Sequence, residues 1–204
     1  MFILGIVMHE IGHLLGGLIS GYRFLYIEAF GFTMERKKGN IEFKRYRGMP
    51  IGQCMMYSEN MEKRPFLLIA GGMIMNAALG MLTLMLAVSL ESAALHMRLL
   101  IAVSGMANLS LVPMNIFGSR TSDGTALKEV LSSRAVMKTY NGIMLLDAYL
   151  WMKKMFEDIP DDYFIQMTDC IEKARQDKKT ECELVMEMER YLKEWKHIRK
   201  GKIG

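Results

Sequence analysis

The chain has 204 residues, 51% of them hydrophobic, with a formal net charge of +4 and a mean hydropathy of +0.12. That is too apolar for an ordinary soluble domain of this length, and three charge-poor stretches within the first 118 residues account for the excess. The basic residues form no stripe interleaved with aromatics, which excludes nucleic acid as a partner.

The first stretch, Met1 to Gly21, reads as a membrane-spanning helix interrupted by His9, Glu10 and His13. It lacks the basic start and the small-residue cleavage site of a secretory signal. Ionisable groups at the centre of an apolar span each cost about 2 to 3 kcal/mol when charged, so they need a partner there. The spacing H-E-x-x-H names one. Histidines four apart stack on one helical face within reach of a single cation, and the glutamate lies one position round, where it can touch a water on that cation. This is the zinc-peptidase arrangement, with His9 and His13 as ligands and Glu10 as the general base.

Tyr22 to Arg64 follow as a loop that opens with Tyr22 to Glu35, a segment rich in Phe, Tyr and Ile. A Lys37-Lys38-Gly39-Asn40 turn leads into alternating Ile41-Glu42-Phe43-Lys44, which predicts a β-hairpin. Its free edge is suited to strand addition by an extended substrate, although a hairpin that only lies on the bilayer surface has the same pattern. The loop carries nine Lys/Arg against five Glu, whereas Glu91 to Arg98 carry one basic and one acidic residue. The basic loop is therefore expected on the cytoplasmic side, with the N-terminus outside and everything after Gly118 inside.

Phe66 to Leu90 run 25 residues without a charge and Leu99 to Gly118 run 20, enough for two more spans. Gly12, Gly16 and Ser20 on the first span, and Gly72, Asn76 and Gly80 on the second, repeat at four-residue intervals and give small-residue faces for close helix approach. A catalytic zinc needs a third protein ligand. Asp123, in Ser122-Asp123-Gly124 beyond the third span, is the best placed, with His96 of the short external link as the alternative. The same tripeptide is also suited simply to cap a helix over Thr125 to Ser132.

From Thr125 the composition turns charged and helical. Amphipathic helices are expected over Val136 to Glu157, Asp161 to Lys173 and Glu181 to Lys200, with a break at Gln176-Asp177-Lys178-Lys179. Two domains follow: a transmembrane core over 1–124 and a cytoplasmic α-helical domain over 125–204, the latter suited to bind a regulator. Cys54, Cys170 and Cys182 form no C-x-x-C pair and read as reduced structural thiols, and the 21 methionines as adaptable filling.

These motifs resemble the site-2 protease family of intramembrane zinc metalloproteases. The resemblance covers residues 1 to about 130. His9, Glu10 and His13 match the family's first element. Pro113, Asn115 and Asp123-Gly124 match the second, with its eight-residue spacing from Asn to Asp, and Gly72 and Asn76 match part of the intervening helix's motif. The resemblance implies Zn2+ held by His9, His13 and Asp123, Glu10 as catalytic base, and a membrane-spanning or membrane-bound peptide as substrate, cut near the cytoplasmic face. Asn76 and Asn115, costly in lipid, are suited to hold an unwound substrate backbone or the reaction's oxyanion. The expectation is a mainly α, three-span, multi-pass protein of a bacterial cell membrane, with a cytoplasmic hairpin and helical tail. A catalytically silent homologue acting as a peptide-binding adaptor is the alternative, and a metal-binding transport component a third.

Overall fold

The structure is a computed structural model that describes residues 2–37, 39–45, 52–90, 94–118, 122–152 and 158–201. The metal motif lies in α1 (Phe2–Ile19), which ends where Gly21 takes φ +73° and the Tyr22 amide donates to Gly17 O at 2.8 Å. The other apolar stretches form α2 (Phe66–Ser89) and α3 (Leu95–Ile116). These two helices are long and apolar enough to cross a membrane. The expected third span is not matched at that length, because α1 has 18 residues, about 27 Å of helix, before the glycine turn takes the chain into a strand.

Glycines set the spacing of the three helices. A methyl group at Gly12 would lie 2.3 Å from Gly71 O, and one at Gly16 would lie 1.9 Å from Leu67 O, so α1 and α2 touch backbone to backbone. Gly80 and Gly105 do the same for α2 and α3. The outward faces of α2 and α3 expose Leu82, Met85, Val88, Leu95, Val103 and Met106, a surface suited to hydrocarbon.

The expected hairpin is larger than the sequence pattern indicates. Residues 22–35 do not form one strand: the chain reverses at Phe30-Gly31, both with positive φ, giving β1 (Arg23–Ala29) and β2 (Phe32–Lys37). Lys37 pairs with Asn40 across the expected turn into β3 (Asn40–Arg45), and Lys38 itself lies outside the described residues. A further strand, β4 (Gly52–Tyr57), pairs antiparallel with β1, so the sheet order is β3-β2-β1-β4 and β4 is a free edge.

Four helices follow: α4 (Asp123–Ser132), α5 (Arg134–Trp151), α6 (Asp161–Gln176) and α7 (Glu183–Gly201). Residues 153–157 of the helix expected to reach Glu157 lie outside the described residues. Ser133 caps α5, and α6 has Asp161 and Asp162 in its first turn with Lys173 and Arg175 in its last, matching the helix dipole. Val136, Leu146, Phe164, Met167, Val185 and Met188, all fully buried, form one core among α5, α6 and α7. The opposite side of α5 rests on α2, β4 and the turn that ends α1. Tyr140 joins Tyr22, Met56, Leu68 and Ile69 in a second cluster, and Asn141 accepts from the Tyr22 hydroxyl at 2.7 Å while donating to Met61 O and Lys63 O. Thus α5 is a shared wall between the helical tail and the core carrying the motif.

Candidate metal centre

Helix α1 presents His9 and His13 one turn apart towards α2, and both are buried. Gly72 of α2 lies directly opposite. A methyl group there would come within 2.5 Å of His13 Nε2 and 2.6 Å of His9 Nε2, so no larger residue leaves the two imidazoles in place. Asp123 arrives from the first turn of α4. Ser122 caps that helix through Thr125 N, and Gly124 lets α4 start against Asn115 and Ile116 at the end of α3. The tripeptide therefore does both things its sequence allows. Ser122 makes the cap, which leaves the Asp123 carboxylate free to face the histidines.

Three atoms converge. His9 Nε2 is 2.9 Å from Asp123 Oδ2, His13 Nε2 is 3.3 Å from the same oxygen, and the two nitrogens are 3.0 Å apart. Ligands bonded tetrahedrally to zinc at about 2.0 to 2.1 Å stand about 3.3 Å from one another, so this triangle matches the edge of a zinc tetrahedron and leaves a fourth corner open. Among the described residues His9, His13 and Asp123 are the group placed to hold a metal ion. His96 is excluded from it, since it lies at the start of α3, at the opposite end of that helix from Asp123. Burial alone would raise the Asp123 carboxyl's pKa, but hydrogen bonds from His13 and His9 outweigh it and hold the group well below the usual carboxylate range. The α4 N-terminus favours the same charge.

Each histidine is oriented from behind. His13 Nδ1–H donates to Leu68 O at 2.7 Å, which leaves Nε2 as the lone-pair nitrogen. His9 Nδ1 is 3.1 Å from the amide of Asn76, a fully buried residue on α2. The atom at that distance is Asn76 Nδ2, a donor, and Asn76 Oδ1 is buried without a partner. A histidine that offers Nε2 to a metal carries its proton on Nδ1, and a turned-over Asn76 carboxamide would accept that proton on Oδ1. Asn76 thus lines the cavity with its amide committed to His9.

A cavity of about 490 Å³ opens beside the triangle and is lined by Glu10, Asn76, Asn115, Asp123, Tyr140 and the strand residues Gly52 to Met55. Asn115 reaches the wall while its Nδ2 donates to Leu111 O at 3.0 Å. Glu10 abuts the edge strand: a methyl group at Gly52 would lie 2.6 Å from Glu10 Oε1. Cys54 is also on the wall. Burial and the Glu10 charge push its thiol up, which keeps it neutral and a poor metal ligand. Sequence pattern missed β4, Tyr140 and Asp147 as wall residues. Nothing local marks them, because each reaches the cavity only through the fold.

No protein-family model, curated protein or solved structure was found to match the chain.

Proposed function

We propose that the protein is an intramembrane zinc endopeptidase of the site-2 protease kind, acting on a membrane-spanning or membrane-bound peptide. One observation carries the reading: two histidines of an apolar helix and an aspartate 110 residues after the second meet in a triangle of tetrahedral-edge dimensions, beside a glutamate and an open cavity. Zinc supplies Lewis acidity, lowering the pKa of water and polarising a carbonyl. His9, His13 and Asp123 would hold it, with Asn76 and Leu68 O fixing the imidazoles. Glu10 takes the proton from the attacking water and returns it to the leaving amine.

Substrate presentation falls to β4. Among the described residues β4 is an edge strand of the sheet; it lies along the cavity, starts at the Glu10 carboxylate, and is placed to pair with an extended peptide. A transmembrane helix must unwind before its backbone is open to attack, and strand addition satisfies the released N–H and C=O groups. The apolar faces of α2 and α3 support a bilayer location.

The test is a pair of variants, assayed for zinc in detergent-purified protein and for cleavage in cells that co-express a membrane substrate. Glu10→Gln should retain about one zinc per chain and lose cleavage of a co-expressed membrane substrate by 100-fold or more, because Glu10 moves protons and is not a ligand. Asp123→Ala should lose zinc as well as cleavage. Undiminished cleavage by Glu10→Gln would retire the peptidase reading, and full zinc in Asp123→Ala would retire the ligand set.

A further inference from the structure

The metal cavity does not end at the metal. It continues along β4 to Asp147 on α5, where Gln53, Met55 and Asp147 are shared with a second hollow of about 430 Å³ completed by Tyr26, Leu150 and Trp151. Tyr26 and Trp151 stack with ring centroids 4.1 Å apart and planes 28° apart, so the mouth has an aromatic wall. Asp147 is half-buried against it. Among the described residues its hydrogen bond is from the Tyr191 hydroxyl, at a long 3.3 Å, and no Lys, Arg or His forms an ion pair with it. Burial, and after it the charge of Glu187, lift its carboxyl to a pKa of about 6. Among the described residues the hollow therefore holds a carboxylate with no cation beside it and a stacked aromatic pair in its wall, the combination that receives an ammonium or guanidinium group.

We infer that Asp147, with the Tyr26–Trp151 pair, is a specificity subsite that receives a Lys or Arg side chain of the substrate a few residues from the cut bond. The spacing follows from the edge strand. Gly52 lies at Glu10, while Gln53 and Met55 face the Asp147 hollow. At about 3.3 Å of rise per residue, a peptide paired along β4 from Gly52 to Met55 covers about 10 Å, or three residues. Side chains of such a peptide alternate between faces, so one on the Gln53/Met55 side meets Asp147 while its neighbours do not. The subsite rests on the peptidase reading for its meaning, but the binding it describes is measurable without turnover.

The experiment uses full-length, zinc-loaded Glu10→Gln protein in detergent and a series of fluorescein-labelled apolar peptides with Lys, Gln or Glu placed at successive positions. At one position Lys should bind about tenfold tighter than Gln, the value of a half-buried ion pair. Asp147→Asn should erase that ratio, and Asp147→Lys should invert it in favour of Glu. Equal binding of the Lys and Gln peptides at every position would overturn the subsite, and so would a Lys preference that persists in Asp147→Asn. The peptide series on unaltered Asp147 decides the matter even where a variant fails to fold. Parallel cleavage by protein with Glu10 restored separates the two claims. A Lys preference in binding with no cleavage sinks the peptidase reading alone, whereas cleavage without the preference sinks the subsite alone.

Discussion

Replacement of Asn76 distinguishes two mechanisms. An asparagine in such a site either stabilises the substrate's developing oxyanion or fixes a metal ligand. Here its amide lies 3.1 Å from His9 Nδ1 and its side chain is fully buried. Asn76→Leu keeps the branching and heavy-atom count of the side chain, removes the acceptor and leaves the His9 Nδ1–H buried without a partner, at a cost of about 1 to 3 kcal/mol. Loss of an outer partner of a metal-bound histidine typically weakens binding about 10- to 100-fold, or about 1.4 to 2.7 kcal/mol. Competition of purified protein against a fluorescent zinc chelator should therefore show a Kd raised within that range. Asn76→Asp should bind zinc at least as well as the parent, since a carboxylate accepts the same proton. At saturating zinc the Leu variant should recover most of its kcat. A Leu variant with unchanged zinc affinity and a kcat down 100-fold would refute the positioning role and assign Asn76 to the transition state.

Gly72→Ala should abolish zinc binding while α-helical content is retained. The added methyl group would stand 2.5 Å from His13 Nε2 and from His9 Cε1, and neither ring has room to retreat, being held by Leu68 O and Asn76; normal zinc content would mean that the histidines are not so held. Asp147→Asn should stabilise the protein at pH 8 and not at pH 4. With the folded pKa raised to about 6 against an ordinary 3.8, the folded state holds a proton the unfolded state has released, and that advantage disappears as pH rises through 6. Glu187, Tyr191, Tyr26 and Tyr163 face the group and none supplies a cation, so the gain should approach about 2 kcal/mol in thermal or denaturant unfolding; equal stabilities at pH 8 would refute it. Deleting 161–204 should remove zinc binding along with the tail, because it bares Val136, Ile143 and Leu146, each worth about 1.5 to 3 kcal/mol of burial, on the helix that also walls the metal cavity. Retained zinc in the truncated protein would show that α5 stands without its tail partners.

The parts of the site legible in the sequence are those whose geometry is local. His9, Glu10 and His13 are fixed relative to one another by helical periodicity alone, so a four-residue spacing suffices to read them. Asp123 is legible only through its eight-residue distance from Asn115 in the family's pattern, because its place beside the histidines depends on Ser122 capping α4 and on Gly124 letting that helix start against the end of α3. The sheet was half legible. Lys37 to Asn40 is an ordinary glycine turn, whereas Phe30-Gly31 places an aromatic residue at positive φ, and no propensity rule expects a reversal there. Strand β4, Gly-Gln-Cys-Met-Met-Tyr, contains no β-branched residue and pairs only because β1 offers it an edge. The tail was legible as helices and illegible as a wall. Its amphipathic periodicity reports one buried face per helix, yet α5 buries two: Val136, Ile143 and Leu146 towards α6 and α7, and Tyr140 towards Tyr22 and Met56. A helix apolar on both sides reads in sequence as a more hydrophobic helix. The polar residues left on its remaining face, Asp147 among them, then read as solvated when they in fact face the cavity that the metal site opens into.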